Sequence, residues 1–336
     1  IWAASRSWPR FESEFVAYHC QDEKLLTAPA RQAMDRYVAE TAALLAISPD
    51  RLAELRRHKI LYYLADEETV ARLTGYSTKG MAELATGSVI SSHFPHFHEA
   101  AHLLLNYALQ EAPLFPLPLL QEGTACLLGG RWGRDPRVIQ YMAWVNGSMG
   151  LVELKDILTR EGFYAAPGGP DAPYAAGAVL CGLIVSEAGW PGLLALQTSL
   201  AKSGQPRDAA AIAGEIARVC GWKTATPLAL LQDKYTARLP LFRRAGVEPV
   251  AGAGVQSGGA VLVREGDGAF EFSVPGGDEP VAVLPRRPLA AAENFHSALF
   301  AEVLRGHTYR GQPVGLRCSA SSVSVYDFAA NRLVGV

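Results

Sequence analysis

Two histidines one helical turn apart, with a glutamate beside the first, form the pattern in this sequence that most clearly points to chemistry. They are His98 and His102, and Glu99 follows His98 directly. On a helix, residues i and i+4 lie on one face, so both imidazoles can reach one metal ion. Ala100 and Ala101 are strong helix formers, and leucines continue an apolar helix after them. The pattern predicts a metal-binding helix on which Glu99 addresses a water bound to the ion.

A hydrolytic zinc site needs three protein ligands and one open position for water, so a third ligand must come from elsewhere. A histidine six residues after His102 is absent, because Ala108 stands there. Glu122 is a lone carboxylate inside the apolar run 118–125, and 19 residues separate it from His102. A buried glutamate without a partner costs several kcal/mol, so it usually has a cation or a dense hydrogen-bond network beside it. Glu122 is therefore the predicted third ligand.

These two segments together resemble the gluzincins, the metallopeptidase group that includes thermolysin and the zinc aminopeptidases, and especially the peptidase MA-like bacterial proteins. In that group HExxH is followed, after about this interval, by Glu-Gly-x-Ala, which here begins at Glu122. The similarity covers about residues 10–235. It extends to a strand, a helix and a Gly-flanked strand before HExxH, and to a Tyr-x-x-Gly helix after the glutamate, at 59–64, 66–73, 87–91 and 174–177.

The resemblance implies one zinc ion held by His98, His102 and Glu122. Zinc lowers the pKa of its bound water from about 15.7 to near 7 and polarises the scissile carbonyl. Glu99 would be the general base that takes a proton from this water and passes it to the leaving amine. Tyr174, which opens a helix after a Gly-rich loop, would donate a hydrogen bond to the developing oxyanion.

The family also implies where the substrate lies and how a ligand histidine is oriented. The strand at 87–91 would be the sheet edge along which an extended peptide lays its backbone. In thermolysin-like proteins a carboxylate one turn after the metal-binding glutamate orients a ligand histidine, but Cys126 stands there. Another partner is then required, or the zinc is held more weakly, since losing such a partner costs about 10–100-fold in affinity. Leu119 replaces a common aromatic residue, which should affect only packing.

The preferred prediction is zinc-dependent hydrolysis of peptide bonds in a peptide or protein substrate. One alternative is a non-catalytic binding protein that keeps the zincin scaffold, with its cleft blocked by its own C-terminal segment. Glu99 argues against it, because a scaffold freed from catalysis has no physical need for that carboxylate. A zinc hydrolase acting on a non-peptide substrate is the other alternative. His93 and His96 precede the motif closely and His307 lies far from it, and we expect all three to be structural.

Composition excludes several partners. With 336 residues, 49% hydrophobic and 19% charged, the chain is typical of a globular protein. A net charge of −2 gives no case for binding nucleic acid or an anionic membrane surface. The most apolar stretch, 172–186, is shorter than the roughly 20 residues that span a bilayer, so no membrane span is expected. The start at Ile1 and the enzyme class favour a secreted or periplasmic location over a cytoplasmic one.

Five cysteines cannot all pair within the chain, although one or two disulfides remain open. We expect Cys126 and Cys181 to be buried free thiols, because both fall in apolar helical stretches.

The predicted fold class is α+β, with a zincin-like, mostly helical catalytic domain that carries a small N-terminal β-sheet, and a C-terminal β-rich domain. Gly, Val and Ser become frequent after Pro240, which places the boundary between domains 1–245 and 246–336. Strands are predicted at 11–19, 59–64 and 87–91, and helices at 28–46 (ended by Pro49), 66–73, 97–110, 118–128, 136–145, 151–159, 172–188, 191–202, 207–219 and 226–234. Further on, strands are predicted at 260–264, 269–274, 280–284, 313–318 and 321–327, and a helix at 295–305.

Overall fold

A computed structural model describes most of the chain up to residue 242, and only the backbone of the strands beyond residue 247. The described residues are 1, 4–109, 117–131, 136–148, 150, 152–166, 171–202 and 208–242, together with the strands from 248 onwards. Within them the protein is mostly helical and carries a small mixed sheet near its N-terminus, as the sequence predicts.

The N-terminal sheet has five strands in the order β1-β2-β3-β5-β4. Its strands are β1 (Arg10–Glu12), β2 (Val16–Cys20), β3 (Ile60–Leu64), β4 (Gly80–Glu83) and β5 (Ser88–Ser91). The central strands β2, β3 and β5 run parallel, and both outer strands pair antiparallel with their neighbours. Strand β3 confirms the prediction at 59–64. The predicted strand at 11–19 is instead a hairpin of β1 and β2, closed by a hydrogen bond from the Ser13 amide to the Val16 carbonyl.

The prediction that 87–91 forms the sheet edge is wrong. Strand β5 lies inside the sheet, between β3 and β4, and β4 is the edge strand. The sequence of β4, Gly-Met-Ala-Glu, has no β-branched or aromatic residue, so local propensity gave no sign of it. Pairing of β4 with β5, rather than propensity, makes this segment a strand.

Eleven helices are present in the described residues. They are α1 (Ala28–Leu44), α2 (Pro49–Arg57), α3 (Glu67–Thr74), α4 (Phe97–Leu109), α5 (Pro118–Gly129), α6 (Pro136–Ser148), α7 (Leu154–Ile157), α8 (Arg160–Tyr164), α9 (Ala172–Lys202), α10 (Ala209–Val219) and α11 (Pro227–Arg238). Short 3-10 turns occur at Glu23–Leu25 and Leu239–Phe242.

Three helix predictions differ from the structure. Helix α1 already ends at Leu44, and Pro49 instead begins α2, because proline suits the first helical position and the Ser48 hydroxyl caps the helix. The predicted helix at 151–159 is replaced by the short helices α7 and α8, since Thr159 caps a new helix at that point. Helices 172–188 and 191–202 join as α9 across a kink at Gly189, whose φ is 68°.

Helices α5 and α9 cross at two glycines. A Cβ atom added to Gly123 would lie 2.4 Å from the carbonyl carbon of Gly177, so neither position has room for a side chain. At the other end of α5, a Cβ on Gly129 would lie 2.5 Å from the Phe97 backbone at the start of α4. Close backbone approach therefore fixes α5 against both neighbours, and with it the direction in which Glu122 points.

Helix α9 is long and apolar enough to cross a membrane by length and composition alone, and no other helix in the described residues is. Of its most apolar window, 44% is buried inside the protein. The core helix of a soluble protein passes the same test, so this is weak evidence, and it is compatible with the predicted absence of a membrane span.

Beyond residue 247 the described backbone consists of strands. They are β6 (Glu248–Pro249), β7 (Leu262–Gly266), β8 (Ala269–Ser273), β9 (Ala282–Pro285), β10 (His307–Tyr309), β11 (Gln312–Cys318), β12 (Val323–Asp327) and β13 (Arg332–Gly335), in the order β13-β12-β11-β10-β7-β8-β9-β6. The predicted strands overlap β7, β8, β9, β11 and β12. The predicted helix at 295–305, the boundary near 245 and the side chain of His307 lie outside the described residues, and the division into two domains stays a prediction.

Candidate metal centre

Helix α4 carries both histidines of the HExxH segment on one face. Its leucines at 103, 104 and 105 are buried, which anchors the helix in the core beneath the sheet. The Nε2 atoms of His98 and His102 lie 3.3 Å apart. His98 is buried, and the side chain of His102 is 10% exposed. The helical spacing thus brings the two predicted ligands together, with their ring nitrogens facing one point.

Glu122 reaches the same point from α5. Its Oε2 atom lies 3.1 Å from His98 Nε2 and 3.2 Å from His102 Nε2. Tetrahedral zinc with bonds of about 2.0–2.1 Å holds its ligand atoms about 3.3–3.4 Å from one another. Two imidazoles and one carboxylate are also a ligand set of hydrolytic zinc sites. Among the described residues, this is the one group of His, Cys, Asp and Glu whose ligand atoms converge in this way, and the group fits zinc in both spacing and chemistry.

The tautomer of His98 supports a cation between these atoms. His98 Nδ1 lies 2.7 Å from the carbonyl oxygen of Gly130, which only accepts hydrogen bonds, so Nδ1 carries a proton. In the neutral ring Nε2 then presents a lone pair to the Glu122 carboxylate and to His102. Three electron-pair donors that face each other at 3.1–3.3 Å need a proton or a metal ion between them.

Gly130 supplies the orienting partner that the sequence left open at Cys126. The Cys126 sulfur lies 3.8 Å from His98 Nδ1, a weak contact compared with the 2.7 Å bond to the Gly130 carbonyl. Gly130 ends α5 with a φ of 70°, a conformation that favours glycine, and this turn directs its carbonyl towards the histidine. A metal-binding histidine commonly donates its second ring N–H to a backbone carbonyl. Cys126 itself is a buried free thiol, as predicted, and so is Cys181.

Charge and burial act in opposite directions within the cluster. Burial favours the neutral form of His102, but the Glu122 carboxylate outweighs it and raises the pKa of His102 above its usual value. Burial likewise opposes the charge of Glu122, but His102 and His98 together hold the pKa of Glu122 well below its usual range. Glu122 is therefore a carboxylate at neutral pH, which is the form that binds a metal ion.

The cluster lies in a cleft of about 1070 Å³. Its lining includes the predicted site residues, namely His98, Glu99, His102, Glu122 and Tyr174. Strand β4 forms part of another side of the cleft, so the half-buried edge strand of the sheet lies across the cleft from His98, His102 and Glu122. The two histidines before the motif, His93 and His96, do not line this cleft, and His96 is buried.

Glu99 stands beside the cluster of His98, His102 and Glu122 without joining it. Its side chain is 12% exposed, and its Oε1 atom lies 3.6 Å from Nε2 of His96. Gly80 of β4 lies against both residues, since a Cβ there would come within 2.4 Å of the His96 ring and 3.4 Å of Glu99 Cγ. Burial and the charges around it hold the pKa of His96 well below its usual value.

Tyr174 begins the first turns of α9 and is supported by an arginine that the sequence analysis missed. The guanidinium carbon of Arg131 lies 3.5 Å from the centre of the Tyr174 ring, and Arg131 Nε donates to the buried Asp171 at 3.1 Å. Burial and the Glu122 charge raise the pKa of Tyr174, so the phenol keeps its proton and remains a donor. The only sequence signal for Arg131 was its place directly after the glycine pair that ends α5.

Comparison of the chain with protein-family models gives no match, and a search among curated proteins gives none either. The resemblance to the gluzincins therefore stays a prediction from the motif residues of the sequence.

Proposed function

We propose that this chain is a gluzincin-type, zinc-dependent hydrolase that cleaves peptide bonds in an extended peptide or protein. The observation that carries the proposal is the convergence of His98 Nε2, His102 Nε2 and Glu122 Oε2 to within 3.1–3.3 Å of one another. A cleft of about 1070 Å³ gives a substrate access to this point, and Glu99 lines the same cleft.

The ligands and the base have separate roles. His98, His102 and Glu122 hold the ion, and the Gly130 carbonyl fixes the ring of His98. When bound, zinc supplies Lewis acidity, which lowers the pKa of a water from about 15.7 to near 7 and polarises a carbonyl group. Glu99 accepts a proton from the attacking water as the water oxygen bonds to the carbonyl carbon. Glu99 then passes this proton to the amide nitrogen, and the carbon–nitrogen bond breaks.

Strand β4 is the proposed binding surface for the substrate backbone. The free side of an edge strand can present N–H and C=O groups, to which an extended peptide adds as a further strand. At Gly80 of β4 both groups bond with the Thr78 hydroxyl, which a substrate strand would have to displace there. Residues 77–85, which include β4, line the cleft on the side of Glu99. This mode positions a substrate through its backbone, so it places few demands on the substrate's sequence.

Tyr174 is the proposed donor to the oxyanion. It lines the cleft with Glu122 and keeps its proton. Its ring stacks on the Arg131 guanidinium, and the buried carboxylate of Asp171 holds that arginine. Arg131 thus limits the positions available to the phenol, and a donor fixed in advance stabilises a transition state more than a mobile one.

The test combines metal analysis with activity. Wild-type protein and Glu99→Gln are loaded with zinc, freed of excess metal, and incubated with a library of unstructured, fluorescence-quenched peptides. We expect both proteins to hold one zinc per chain and only the wild type to cleave peptides. Failure of the wild type to retain zinc would overturn the proposal. One zinc per chain without peptide cleavage would favour a non-catalytic scaffold or a hydrolase with a non-peptide substrate. Assays with a panel of esters and non-peptide amides then distinguish these two alternatives.

A further inference from the structure

His96 is a buried side chain directly behind Glu99 that the ligand set does not use. It lies one helical turn before Glu99, its side chain is 2% exposed, and its Nε2 atom has no hydrogen-bond partner among the described residues. That atom is 3.6 Å from Glu99 Oε1. A hydrogen bond needs about 2.7–3.2 Å, so a small movement of the flexible glutamate side chain closes the pair. Hydrogen bonds of catalytic groups are often long in a ligand-free structure and shorten when substrate binds.

Ser91 and Glu99 together indicate which ring nitrogen of His96 carries the proton. Ser91 Oγ lies 2.9 Å from His96 Nδ1, and also 2.9 Å from the His93 carbonyl and 3.3 Å from the Lys79 carbonyl. The His93 carbonyl already accepts from the Tyr62 hydroxyl at 2.7 Å, and the Lys79 carbonyl from the Ser92 amide at 2.8 Å.

A carbonyl oxygen can accept two hydrogen bonds, so the single hydroxyl proton of Ser91 can go to the His93 carbonyl or to His96 Nδ1. The Glu99 carboxylate, 3.6 Å from Nε2, only accepts, so the pair closes as a hydrogen bond when Nε2 carries the proton and Ser91 donates to Nδ1. The Nε2–H group then points at the Glu99 carboxylate, so a donor faces an acceptor.

The His96 ring cannot turn away from Glu99. The ring of His93 lies against one side, tilted by 36°, with the ring centres 4.0 Å apart. On another side Gly80 leaves room only because it has no side chain, since a Cβ there would come within 2.4 Å of the ring. Strand β4, helix α4 and the loop before it therefore hold the ring in place, and the Glu99 carboxylate is the mobile partner.

We propose that His96 is a positioning residue for Glu99, donating an Nε2–H hydrogen bond to Oε1 so that the other carboxylate oxygen faces the cleft. This inference deepens the proposed function and rests on it, because it assigns to His96 the orientation of the proposed base. A misplacement of a catalytic group by about 1 Å can cost about a hundredfold in rate, so loss of this bond should lower kcat and leave KM unchanged.

The kinetic test uses two substitutions and one control. His96→Phe keeps the ring but removes both nitrogens, and His96→Gln keeps a donor near the position of Nε2. His19→Phe is the matched control, because His19 is also buried in this sheet and stacks on an aromatic ring, but does not line the cleft. We expect kcat of the peptide-library assay to fall about ten- to hundredfold in His96→Phe, with partial recovery in His96→Gln and no change in the control. Zinc content should be equal in all four proteins.

A second readout does not depend on activity. Nitrogen-15 NMR of the zinc-free wild-type protein reports which nitrogen of each histidine is protonated. We expect Nε2–H for His96, and its proton resonance should move on Glu99→Gln. An Nδ1–H tautomer overturns the inference, as does full kcat in His96→Phe while the wild type is active. If the wild type binds zinc but cleaves nothing, the proposed function fails, and the tautomer and its response to Glu99→Gln still decide whether His96 pairs with Glu99.

Discussion

Replacing Gly123 by alanine should break the packing that places Glu122. The added Cβ would lie 2.4 Å from the carbonyl carbon of Gly177 and 2.5 Å from its oxygen, and both atoms belong to the backbone of α9. A backbone cannot rotate out of the way as the end of a side chain can, so α5 and α9 must move apart. Overpacking of this kind costs about 1–3 kcal/mol or more. Alanine gains about 1 kcal/mol of helix propensity over glycine, which offsets part of this cost.

The matched control is Gly214→Ala in α10. A Cβ at Gly214 has no atom within 4 Å, so only the propensity gain remains, and we expect this variant to be about 0.5–1 kcal/mol more stable than wild type. Urea denaturation followed by far-UV circular dichroism measures both free energies of unfolding. We expect Gly123→Ala to be about 1–2 kcal/mol less stable than wild type, and to bind zinc more weakly because Glu122 is its neighbour. A Gly123→Ala protein as stable as Gly214→Ala would refute the packing argument.

Three further predictions concern the ion pair, the metal and a helix cap. Arg131→Met should lower the free energy of unfolding by about 1.5–3 kcal/mol, because it removes the Nε donor that bonds to the buried Asp171 carboxylate; adding Asp171→Asn should restore part of the loss, and thermal denaturation checks both. Free zinc at a thousand times its Kd should raise the free energy of unfolding by about 4 kcal/mol, and a chelator should reverse this in the same assay. The Thr69 amide lowers the pKa of Asp66 at the start of α3. The charged carboxylate cap therefore stabilises the protein above the usual aspartate pKa of about 3.9, and this stabilisation is lost as the pH falls. Relative to Asp66→Asn, wild type should lose stability towards acid pH, and an unchanged difference between pH 7 and pH 3 would contradict this.

The elements with regular patterns could be predicted from the sequence. Helix α4 followed from alanines and leucines at helical spacing, and β3 from a short apolar run bounded by charge. The three residues of the metal-binding group could be proposed because their types and spacing follow from ligand chemistry and helix geometry. Their convergence needed only two helices packed side by side, which the small residue next to Glu122 already favoured.

Other features of the structure could not be predicted, because no pattern of side chains in the sequence indicates them. The partner of His98 is a backbone carbonyl, and every residue has one, so Gly130 could not be singled out. Strand β4 forms through pairing with β5, and its own residues have little preference for a strand. Arg131 follows a turn, where neither helical nor strand periodicity applies. His96 lies close to Glu99 because the two residues are three positions apart at the start of a helix. The burial of the His96 ring, however, depends on the absence of a side chain at Gly80.

The most direct test of the account is anomalous diffraction at the zinc absorption edge from crystals of the zinc-loaded protein. We expect one strong peak bonded, at about 2.0–2.2 Å, to His98 Nε2, His102 Nε2 and Glu122 Oε2. Crystals of Glu122→Gln, grown at the same zinc concentration, should show a weaker peak or none. A zinc ion held by other residues, or no peak between these three atoms at saturating zinc, would contradict the central claim.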